Sequence, residues 1–463
     1  MQQSTPPAMP GLPIIGNMLE FYKDRSGLLR RGYEALGSVF SIRLGPKRVA
    51  VLIGSDYHQL FFGETDHKLS AQPVYQFLVP MLGEPVGTAA DPEICSEHRL
   101  IFAELFKSEK MADHVQVMSQ EVQTWLDTLG ESGRFELVET FERVTKHIAG
   151  HAFMGHAFRH RMGDEFWQLF RDLCAAINPL LPPYLPLPSF IRRDRAKRKL
   201  HKMLGPLIAE RRANPGSHKD FLQTLIEAKQ TDGRPLKDIT IISIVILLIF
   251  AGNQTTSNQA SWALIQLLQN PNYLQSVLAE QKNVLSPGQQ PTLGTLRQLQ
   301  HISWALKETE RLHPVPDILL RYNTKAYEAG EYHIPAGWLT LVSPPIAHQL
   351  PEIFQDPQCY DPLRFAPGRE EDRQHPFALM GFGGGAHKCM GMNFALNTMT
   401  VTIAMLLQQY HLELLTPNPQ PSPARMLATR PGACWIGYRR RATGDPVAPV
   451  HTPAIETCPH KRP

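Results

Sequence analysis

Hydrophobic positions change their spacing along the chain, and the first change separates a strand-forming segment from a long helical one. Residues 38–54 alternate between apolar and polar side chains around a Gly-Pro-Lys turn, which predicts a β-hairpin. Most of 92–312 instead has apolar residues at the i, i+3, i+4 spacing of a helix face. A proline cluster at 178–190 interrupts this pattern. We therefore predict a short β region followed by a largely helical segment.

The most apolar run of the chain, 241–252, consists of twelve residues with one serine. A helix needs roughly 20 apolar residues to cross a bilayer, so this run predicts a buried core helix. The N-terminus is polar and rich in proline, without a recognisable signal peptide. We expect a protein with no transmembrane anchor.

Prolines change the pattern again after Arg311. Nine prolines between positions 314 and 367 prevent long helices, and the short apolar stretches 317–323 and 338–345 predict small strands. Helical spacing returns after Cys389, and residues 441–463 have the composition of a disordered tail. The pattern predicts a mainly α fold with a minor β part, in a single large domain over residues 1–440.

Composition narrows the class of protein. Of 463 residues, 43% are apolar and 19% charged, which is typical of a globular chain. The net charge of +4 is small, whereas a nucleic-acid binder usually carries a stronger basic balance. The basic segment 191–200 is either a solvated helix face or a surface for a membrane or an acidic partner. Six dispersed cysteines without a CxxC pair indicate a reducing, cytoplasmic location.

The strongest local signal is the segment 382–391, FGGGAHKCMG. Three consecutive glycines allow backbone conformations closed to other residues. The apolar helix that follows places Cys389 at a helix N-terminus, where free N–H groups favour an anion. A thiolate held in this way can bind haem iron. The alternatives are an inert core cysteine and a phosphate loop, but a phosphate loop needs Ser or Thr after its lysine, and Cys389 follows Lys388.

This segment resembles the haem-binding loop of the cytochrome P-450 superfamily, which reads FxxGxHxCxG. The matching residues are Phe382, Gly385, His387, Cys389 and Gly391. The resemblance implies the P-450 fold and a haem b (iron protoporphyrin IX) whose iron is bound by the Cys389 thiolate. It also implies that Phe382 packs beside the sulfur and that His387 meets a haem propionate.

Two further motifs occur in the order that the resemblance requires. Glu308 and Arg311 form an ExxR motif and share one helix face. With the Leu-His-Pro that follows, they resemble the K-helix signature of the superfamily, and YDPLRF at 360–365 resembles its third element. The resemblance implies a buried cluster of Glu308, Arg311 and Arg364 that supports the haem loop. Buried charges of this kind must be paired and hydrogen-bonded.

The long apolar helix carries the residues that the resemblance assigns to oxygen. Gly252 leaves room for dioxygen, and the Thr255 hydroxyl hydrogen-bonds it and relays protons. From the residues alone, these can also be a helix-packing glycine and a threonine bonded to its own backbone. Most members place an acid before the threonine, but this chain has Gln254. Proton delivery is then expected to run through water, Thr255 or another ionisable group.

Haem propionates are anionic and need donors. By position in the resembling family, Arg321, His387 and Tyr75 are the expected donors. The family usually has a further basic or aromatic donor near residues 95–99, where His98 and Arg99 both qualify. The sequence leaves the choice between them open.

Four stretches resemble the sterol 14α-demethylase branch, especially its bacterial members: 71–87, 182–197, 251–268 and 433–441. In that branch Tyr75 and Phe77 match a loop that lines the distal pocket. The expected pocket residues share apolar character and positions close to these stretches. They are Tyr75, Phe77, Leu78, Ala251, Ile318, Leu319, Leu320, Met426 and Leu427.

The resemblance to this branch is incomplete at the substrate side. Where the branch has an aromatic residue followed by Asp or Ala, this chain has Thr88 and Ala89. Two histidines that normally precede the threonine are replaced by Asn253 and Gln254. A sterol, another steroid, a terpenoid and a fatty acid therefore remain candidate substrates.

Three functions follow from the resemblance. The leading hypothesis is a monooxygenase that inserts one atom of O2 into a small apolar substrate. It would take electrons from a separate ferredoxin and an NAD(P)H-dependent ferredoxin reductase, because the chain has no flavin, nicotinamide or iron–sulfur motif. An oxygen-independent isomerase or dehydratase of the same fold is the first alternative. A non-catalytic haem sensor is the second.

Overall fold

The structure of the chain, a computed structural model, describes residues 4–178, 181–216, 218–422 and 429–442. The α-helices of this part are α1 Met18–Lys23, α2 Arg25–Leu36, α3 Ser55–Gly63, α4 Gln72–Tyr75, α5 Val79–Leu82, α6 Pro92–Leu105, α7 Ser108–Leu126, α8 Leu137–Met154, α9 His156–Cys174, α10 Pro188–Ala213, α11 Phe221–Glu227, α12 Asp238–Gln269, α13 Pro271–Val284, α14 Leu293–Leu296, α15 Gln300–Leu312, α16 Pro344–Ala347, α17 Glu371–Gln374 and α18 Met392–Gln409.

Strands are short and lie mostly before residue 71 and after residue 318. They are β1 Val39–Leu44, β2 Lys47–Leu52, β3 Leu69–Ser70, β4 Ser132–Glu136, β5 Leu319–Asn323, β6 Tyr327–Ala329, β7 Tyr332–Ile334, β8 Leu339–Val342, β9 Tyr410–Leu414, β10 Pro421–Ser422, β11 Arg430–Pro431 and β12 Trp435–Arg440. Single turns of 3₁₀ helix cover Gln76–Leu78, Gly87–Ala89, Pro362–Phe365 and Gly385–His387. The fold is mainly α with a minor β part, as the spacing predicts.

The predicted hairpin is present and forms the edge of the largest sheet. β1 and β2 pair antiparallel from Val39 opposite Leu52 to Leu44 opposite Lys47. The five-stranded sheet has the order β1-β2-β8-β5-β3, and β2 and β8 run parallel. The prolines after Arg311 leave β5 and β8 as the small strands that the sequence predicts there.

Side chains of this sheet alternate between two small hydrophobic cores. Phe40, Ile42 and Val51 face one core, whereas Val39 and Leu52 face the other. A third, larger core is built almost entirely from helices. The β part thus forms a lobe beside a helical body, and β3 and β5 bring the sheet next to the segment around Tyr75.

The apolar run 241–252 lies within α12, the central helix of the helical body. α12 packs against α8, α15 and α18. Among the described residues, α12 is the one helix that is long and apolar enough to cross a membrane. Its six side chains from Ile241 to Ile246 are nevertheless all buried in the protein. Its length follows from the core that surrounds it, since tertiary packing supplies most of the stability of a helix in a protein.

The expected division at residue 440 lies near the end of the described chain. β12 ends at Arg440 and pairs along its length with both β4 and β9. The predicted tail begins at 441, and residues 443–463 of it lie outside the described residues.

Candidate active site

The loop around Cys389 is shaped by close contacts at its glycines. Gly385 has φ +58°, and a Cβ there would lie 2.7 Å from the Phe62 carbonyl oxygen. A Cβ on Gly384 would lie 2.6 Å from the Phe377 ring. Each value is below the distance that a real side chain tolerates, so α3 and Phe377 can pack under the loop only because both residues are glycine. The Cys389 N–H donates to the Phe382 carbonyl at 2.9 Å and closes the loop.

Cys389 stands three residues before α18 and is exposed toward open space on one side. Protein encloses the sulfur on its other sides, and burial raises the pKa of the thiol. The Gly391 N–H, which donates to the thiol, and the Arg99 guanidinium act in the opposite direction. A metal cation bound to sulfur outweighs burial, because a coordinating thiol is deprotonated outright. The loop therefore offers a ligand that becomes a thiolate when a metal binds.

The ExxR motif forms a fully buried charge cluster behind this loop. Glu308, Arg311 and Arg364 are each completely inaccessible to solvent. Arg311 donates to both Glu308 oxygens at 2.8 Å, and Arg364 Nε donates to the same carboxylate at 3.1 and 3.2 Å. Arg364 also donates to Glu371 at 2.6 Å. The sequence reasoning missed Glu371, which lies seven residues from Arg364 and carries no motif.

The remaining guanidinium donors of the cluster hold the chain between the two motifs. Arg311 donates to the carbonyls of His348, Pro357 and Cys359 at 3.1, 2.6 and 2.9 Å. Arg364 donates to the Gln355 carbonyl at 2.8 Å. Buried charges are stable only with such complete hydrogen bonding, so the cluster joins α15 to the irregular segment that leads to the cysteine loop.

On α12, an exposed patch interrupts a helix that is otherwise largely buried. Ala251 and Gln254 are exposed, and a Cβ on Gly252 would meet nothing within 4 Å. Thr255 Oγ1 donates to the Ala251 carbonyl at 2.5 Å, the backbone bond that the residues alone allow. The Asn253 side chain is buried instead. α12 therefore turns Ala251, Gly252, Gln254 and Thr255 toward open space.

Four of the expected propionate donors lie together beside the cysteine loop. Arg321 is buried, and its guanidinium donates to the Tyr75 hydroxyl. Arg99 donates to the Lys388 carbonyl at 3.1 Å. The charges of Arg321 and Arg99 both act on His387. The structure thus gathers Arg99, Arg321, Tyr75 and His387 on one side of Cys389.

His98 does not join this group. Its Nδ1 accepts from the Gly87 N–H at 3.3 Å, and burial lowers the pKa of the imidazole. Successive residues of a helix point about 100° apart, so α6 can turn only one of His98 and Arg99 to the loop. Of the two residues that the sequence left open, the structure places Arg99 beside the loop.

An unexpected carboxylate also reaches the group. His387 Nε2 lies 2.8 Å from Asp66 Oδ2. Burial lowers the pKa of His387, whereas the bond to Asp66 raises it. Asp66 is 321 residues away in the chain and belongs to no motif, so sequence reasoning had no signal by which to find it.

The expected pocket residues do not lie together in the structure. Tyr75 and Phe77 are half-buried with stacked rings 6.3 Å apart, and both pack at the edge of the helical core. Leu78, which was expected to line the pocket, is only 5% exposed and packs inside that core. Met426 and Leu427 lie outside the described residues.

The three consecutive residues expected from the sheet do not share one wall. Ile318 and Leu320 pack against the core that contains Phe40, whereas Leu319 packs against the core on the other face of the sheet. The expectation that all three line one pocket is wrong, because side chains alternate along a strand. Half-buried side chains of α12, Leu247, Leu248 and Phe250, are apolar neighbours that the sequence reasoning did not name.

Comparison with known proteins identifies the family. The family model described as cytochrome P450 matches residues 6–433. The chain belongs to the cytochrome P450 family. It is therefore a haem-dependent monooxygenase, an oxidoreductase that uses O2, a hydrophobic substrate and a redox partner.

Individual relatives agree with this assignment. The chain is 34% identical to a sterol 14-demethylase of Arabidopsis thaliana, over 93% of this chain and 90% of the relative. It is 33% identical to a sterol 14alpha-demethylase of Mycolicibacterium vanbaalenii, over 92% and 96%. A solved structure titled retinoic acid bound cyanobacterial CYP120A1 matches with a TM-score of 0.86 and 25% identity, over 95% of this chain and all of that one. The match establishes the P450 fold.

The residues of the site fit a haem. Arg321 Nε and His387 Nδ1 are buried and have no hydrogen-bond partner within the described ranges. A buried arginine N–H without a partner suits a carboxylate, because arginine forms short, charge-assisted hydrogen bonds to it. Cys389 supplies a soft sulfur ligand suited to haem iron. The donor set therefore matches a flat macrocycle that carries both iron and acidic side chains.

Proposed function

We propose that this chain is a sterol 14-demethylase-like monooxygenase of the cytoplasm that binds haem b through Cys389. The observation that carries the proposal is Cys389 itself, exposed at the end of a glycine-shaped loop that precedes a helix packed against α12. The sterol specificity rests on relatives named sterol 14-demethylases that match more than nine-tenths of the chain.

Cys389 would hold the iron of a bound haem, and a group of basic and polar residues would hold its propionates. Arg99, Arg321, His387 and Tyr75 are the residues that would bind the two carboxylates. Their charge-assisted hydrogen bonds are roughly twice as strong as neutral ones. Phe382 packs at the edge of the helical core, where it would keep water from the sulfur of the haem-bound protein.

The bound haem supplies the electron transfer that activates dioxygen, favoured by the electron-rich thiolate. Gly252 leaves space on α12 because it has no side chain. The Thr255 hydroxyl lies one turn further along and can exchange its bond to the Ala251 carbonyl for a bond at the reacting oxygen. Gln254 is exposed to the same space and orients water through its amide, since it cannot titrate.

An apolar substrate is favoured by the side chains around this patch. Phe77, Leu247, Leu248 and Phe250 are half-buried apolar side chains at the edge of the helical core, and the last three directly precede the exposed part of α12. Pockets of this composition bind apolar molecules through burial, and a few polar groups fix their orientation. A sterol has a rigid apolar body of this type.

Electrons are proposed to come from a ferredoxin and its NAD(P)H-dependent ferredoxin reductase. Lys388 is exposed directly beside Cys389, and a cation at this position favours an acidic protein surface. The chain has no nucleotide-binding motif for a reductase of its own.

Carbon monoxide binding to the reduced protein tests the haem site. We expect the long-wavelength Soret band of a thiolate-ligated ferrous haem, and its loss in Cys389→Ser. Cys174→Ser is the matched control, because Cys174 is a half-buried thiol on α9. Haem binding by Cys389→Ser with an unchanged band would overturn the assignment of the ligand.

Spectral titration and product analysis test the substrate. We expect a 14α-methyl sterol to shift the Soret band from low to high spin, and mass spectrometry to detect a sterol that has lost this methyl group after turnover with ferredoxin and reductase. Turnover of a terpenoid or fatty acid but no sterol would contradict the sterol assignment. Conversion of a lipid hydroperoxide without reductant would support an isomerase or dehydratase instead.

A further inference from the structure

Glu310 lies on α15 between Glu308 and Arg311, but it contacts the cysteine loop and not the buried charge cluster. Its Oε1 accepts the Gly381 N–H at 2.9 Å. The Phe382 N–H also donates to this carboxylate. Glu310 therefore binds two successive peptide groups at the start of the loop that ends at Cys389.

The contact between Glu310 and the loop is built for glycine at position 381. A Cβ on Gly381 would lie 2.6 Å from Glu310 Cγ and 2.7 Å from its Oε1. These distances are too short for any side chain, so the carboxylate can approach the peptide only because residue 381 is glycine. The preceding N–H, from Met380, donates to His348 Nε2 at 3.0 Å. Side chains of the protein thus hold three consecutive peptides of this segment.

A short chain of bonds leads from Glu310 to the cysteine. The Phe382 N–H donates to the Glu310 carboxylate, and the Phe382 carbonyl accepts the Cys389 N–H at 2.9 Å. Hydrogen bonds in such a chain polarise one another. The carboxylate charge also acts through space, since it raises the pKa of Cys389.

The surroundings of Glu310 leave its charge largely uncompensated. Lys307 and Asp372 are the charged side chains that act on it, and they pair with each other at 2.6 Å. Arg311 is turned to Glu308. His348 is neutral, because burial lowers its pKa to about 3. Burial likewise raises the pKa of Glu310 to about 7, and the Gly381 N–H opposes this.

We propose that Glu310 is a positioning residue for Cys389 and that its carboxylate lowers the reduction potential of the bound haem. The inference rests on the proposed function in one respect, namely that Cys389 is the iron ligand. A negative charge near a metal centre favours the oxidised state, which carries more positive charge. Hydrogen bonds to the metal ligands and charges near them change the reduction potential of a metal centre.

Two substitutions separate the charge of Glu310 from its hydrogen bonds. Glu310→Gln keeps an oxygen that can accept the Gly381 N–H but removes the charge. We expect it to keep the long-wavelength carbon monoxide band and to shift the reduction potential in the positive direction. Glu310→Leu also removes the acceptor, so we expect part of its carbon monoxide complex to lose that band. Glu310→Asp, which restores the charge, should recover part of the potential shift.

The pH dependence of the haem reduction potential tests the charge of Glu310 directly, because a purely structural role of this residue would not produce one. In the wild type the potential should become more negative as pH rises through about 7, where Glu310 ionises. This step should be absent in Glu310→Gln. If that variant does not fold, a wild-type potential without a step between about pH 6 and 8 overturns the inference by itself.

Glu280→Gln is the matched control. Glu280 also accepts two successive backbone N–H groups, those of Gln300 and His301 at 3.0 Å, and burial also raises its pKa. It caps the far end of α15, so its variant should leave the potential and its pH step unchanged. Equal potentials in Glu310→Gln, Glu280→Gln and wild type would overturn the inference. Absence of the long-wavelength band in the wild type would instead overturn the proposed function.

Discussion

Thr255 shows how one side chain can serve both the fold and the reaction. Its hydroxyl donates to the Ala251 carbonyl at 2.5 Å, the bond of a threonine that satisfies its own helix. The adjacent residues Ala251 and Gln254 are exposed, so the hydroxyl oxygen has access to the same space. Because Gln254 cannot release a proton at neutral pH, Thr255 is the hydroxyl on this face of α12 that can pass one on.

We predict that Thr255→Ala separates electron consumption from product formation. The helix keeps its backbone hydrogen bonds, so substrate affinity should be unchanged. Product formed per NAD(P)H consumed should fall by about 10-fold or more, because positioned proton transfer contributes at least this much to a rate. Hydrogen peroxide should appear in place of product, measured in the same assay. Thr255→Ser should restore coupling. Full coupling in Thr255→Ala would show that protons arrive by another route.

At the scale of elements, the buried charges join α15 to the irregular chain before the cysteine loop. Arg311 and Arg364 both donate to Glu308, and their remaining donors reach backbone carbonyls between 348 and 359. This segment has few regular elements of its own, so the guanidinium groups supply hydrogen bonds to backbone carbonyls that a sheet or helix would otherwise provide.

We predict that Arg364→Met lowers the free energy of unfolding by about 3–5 kcal/mol, because it leaves part of the Glu308 and Glu371 charge buried without a partner. Denaturant unfolding of the haem-bound protein measures the change. Arg373→Met is the control, since Arg373 is 72% exposed in its side chain and pairs only at the surface. A loss of less than about 0.5 kcal/mol, the range of surface changes, would contradict a supporting role for the cluster.

At the scale of the whole molecule, buried histidines make the stability of the fold depend on pH. Burial lowers the pKa of His58, His114 and His313 to about 4 and that of His348 to about 3. His58 and His348 each accept a backbone N–H through Nε2, which requires a neutral ring. The helical body and the β lobe therefore both contain imidazoles that must stay uncharged.

We predict that stability falls as pH drops from 7 to 5. Below pH 6.5, the pKa of a histidine in the unfolded chain, the unfolded chain binds protons that the folded chain excludes. The free energy of unfolding therefore keeps falling until the pH reaches the lower pKa that the histidine has in the folded chain. Each of these histidines should contribute about 2 kcal/mol at pH 5. Denaturant unfolding at both pH values measures the difference, which His114→Phe should reduce by about that amount.

The exposed His67 provides the control for this prediction. His67→Gln should leave the difference between the two pH values unchanged, because folding leaves this side chain exposed. An unaltered difference in His114→Phe would show that His114 does not carry the acid sensitivity.

The sequence by itself determined the features that depend on neighbouring residues. Alternation and a turn specified the β1–β2 hairpin, and an apolar run specified the core of α12. The glycine, histidine and cysteine spacing at 382–391 indicated the family, and the family model confirmed it. Such patterns are readable because strand, helix and turn geometry arise from contacts within a few residues.

Only the tertiary structure decided which distant groups meet. It placed Arg99 and not His98 beside the loop, buried Leu78, and separated Leu319 from its two neighbours. It also brought Glu310 to Gly381 across 71 residues and Asp66 to His387 across 321. Contacts at these separations depend on how whole elements pack, and no local pattern encodes the packing.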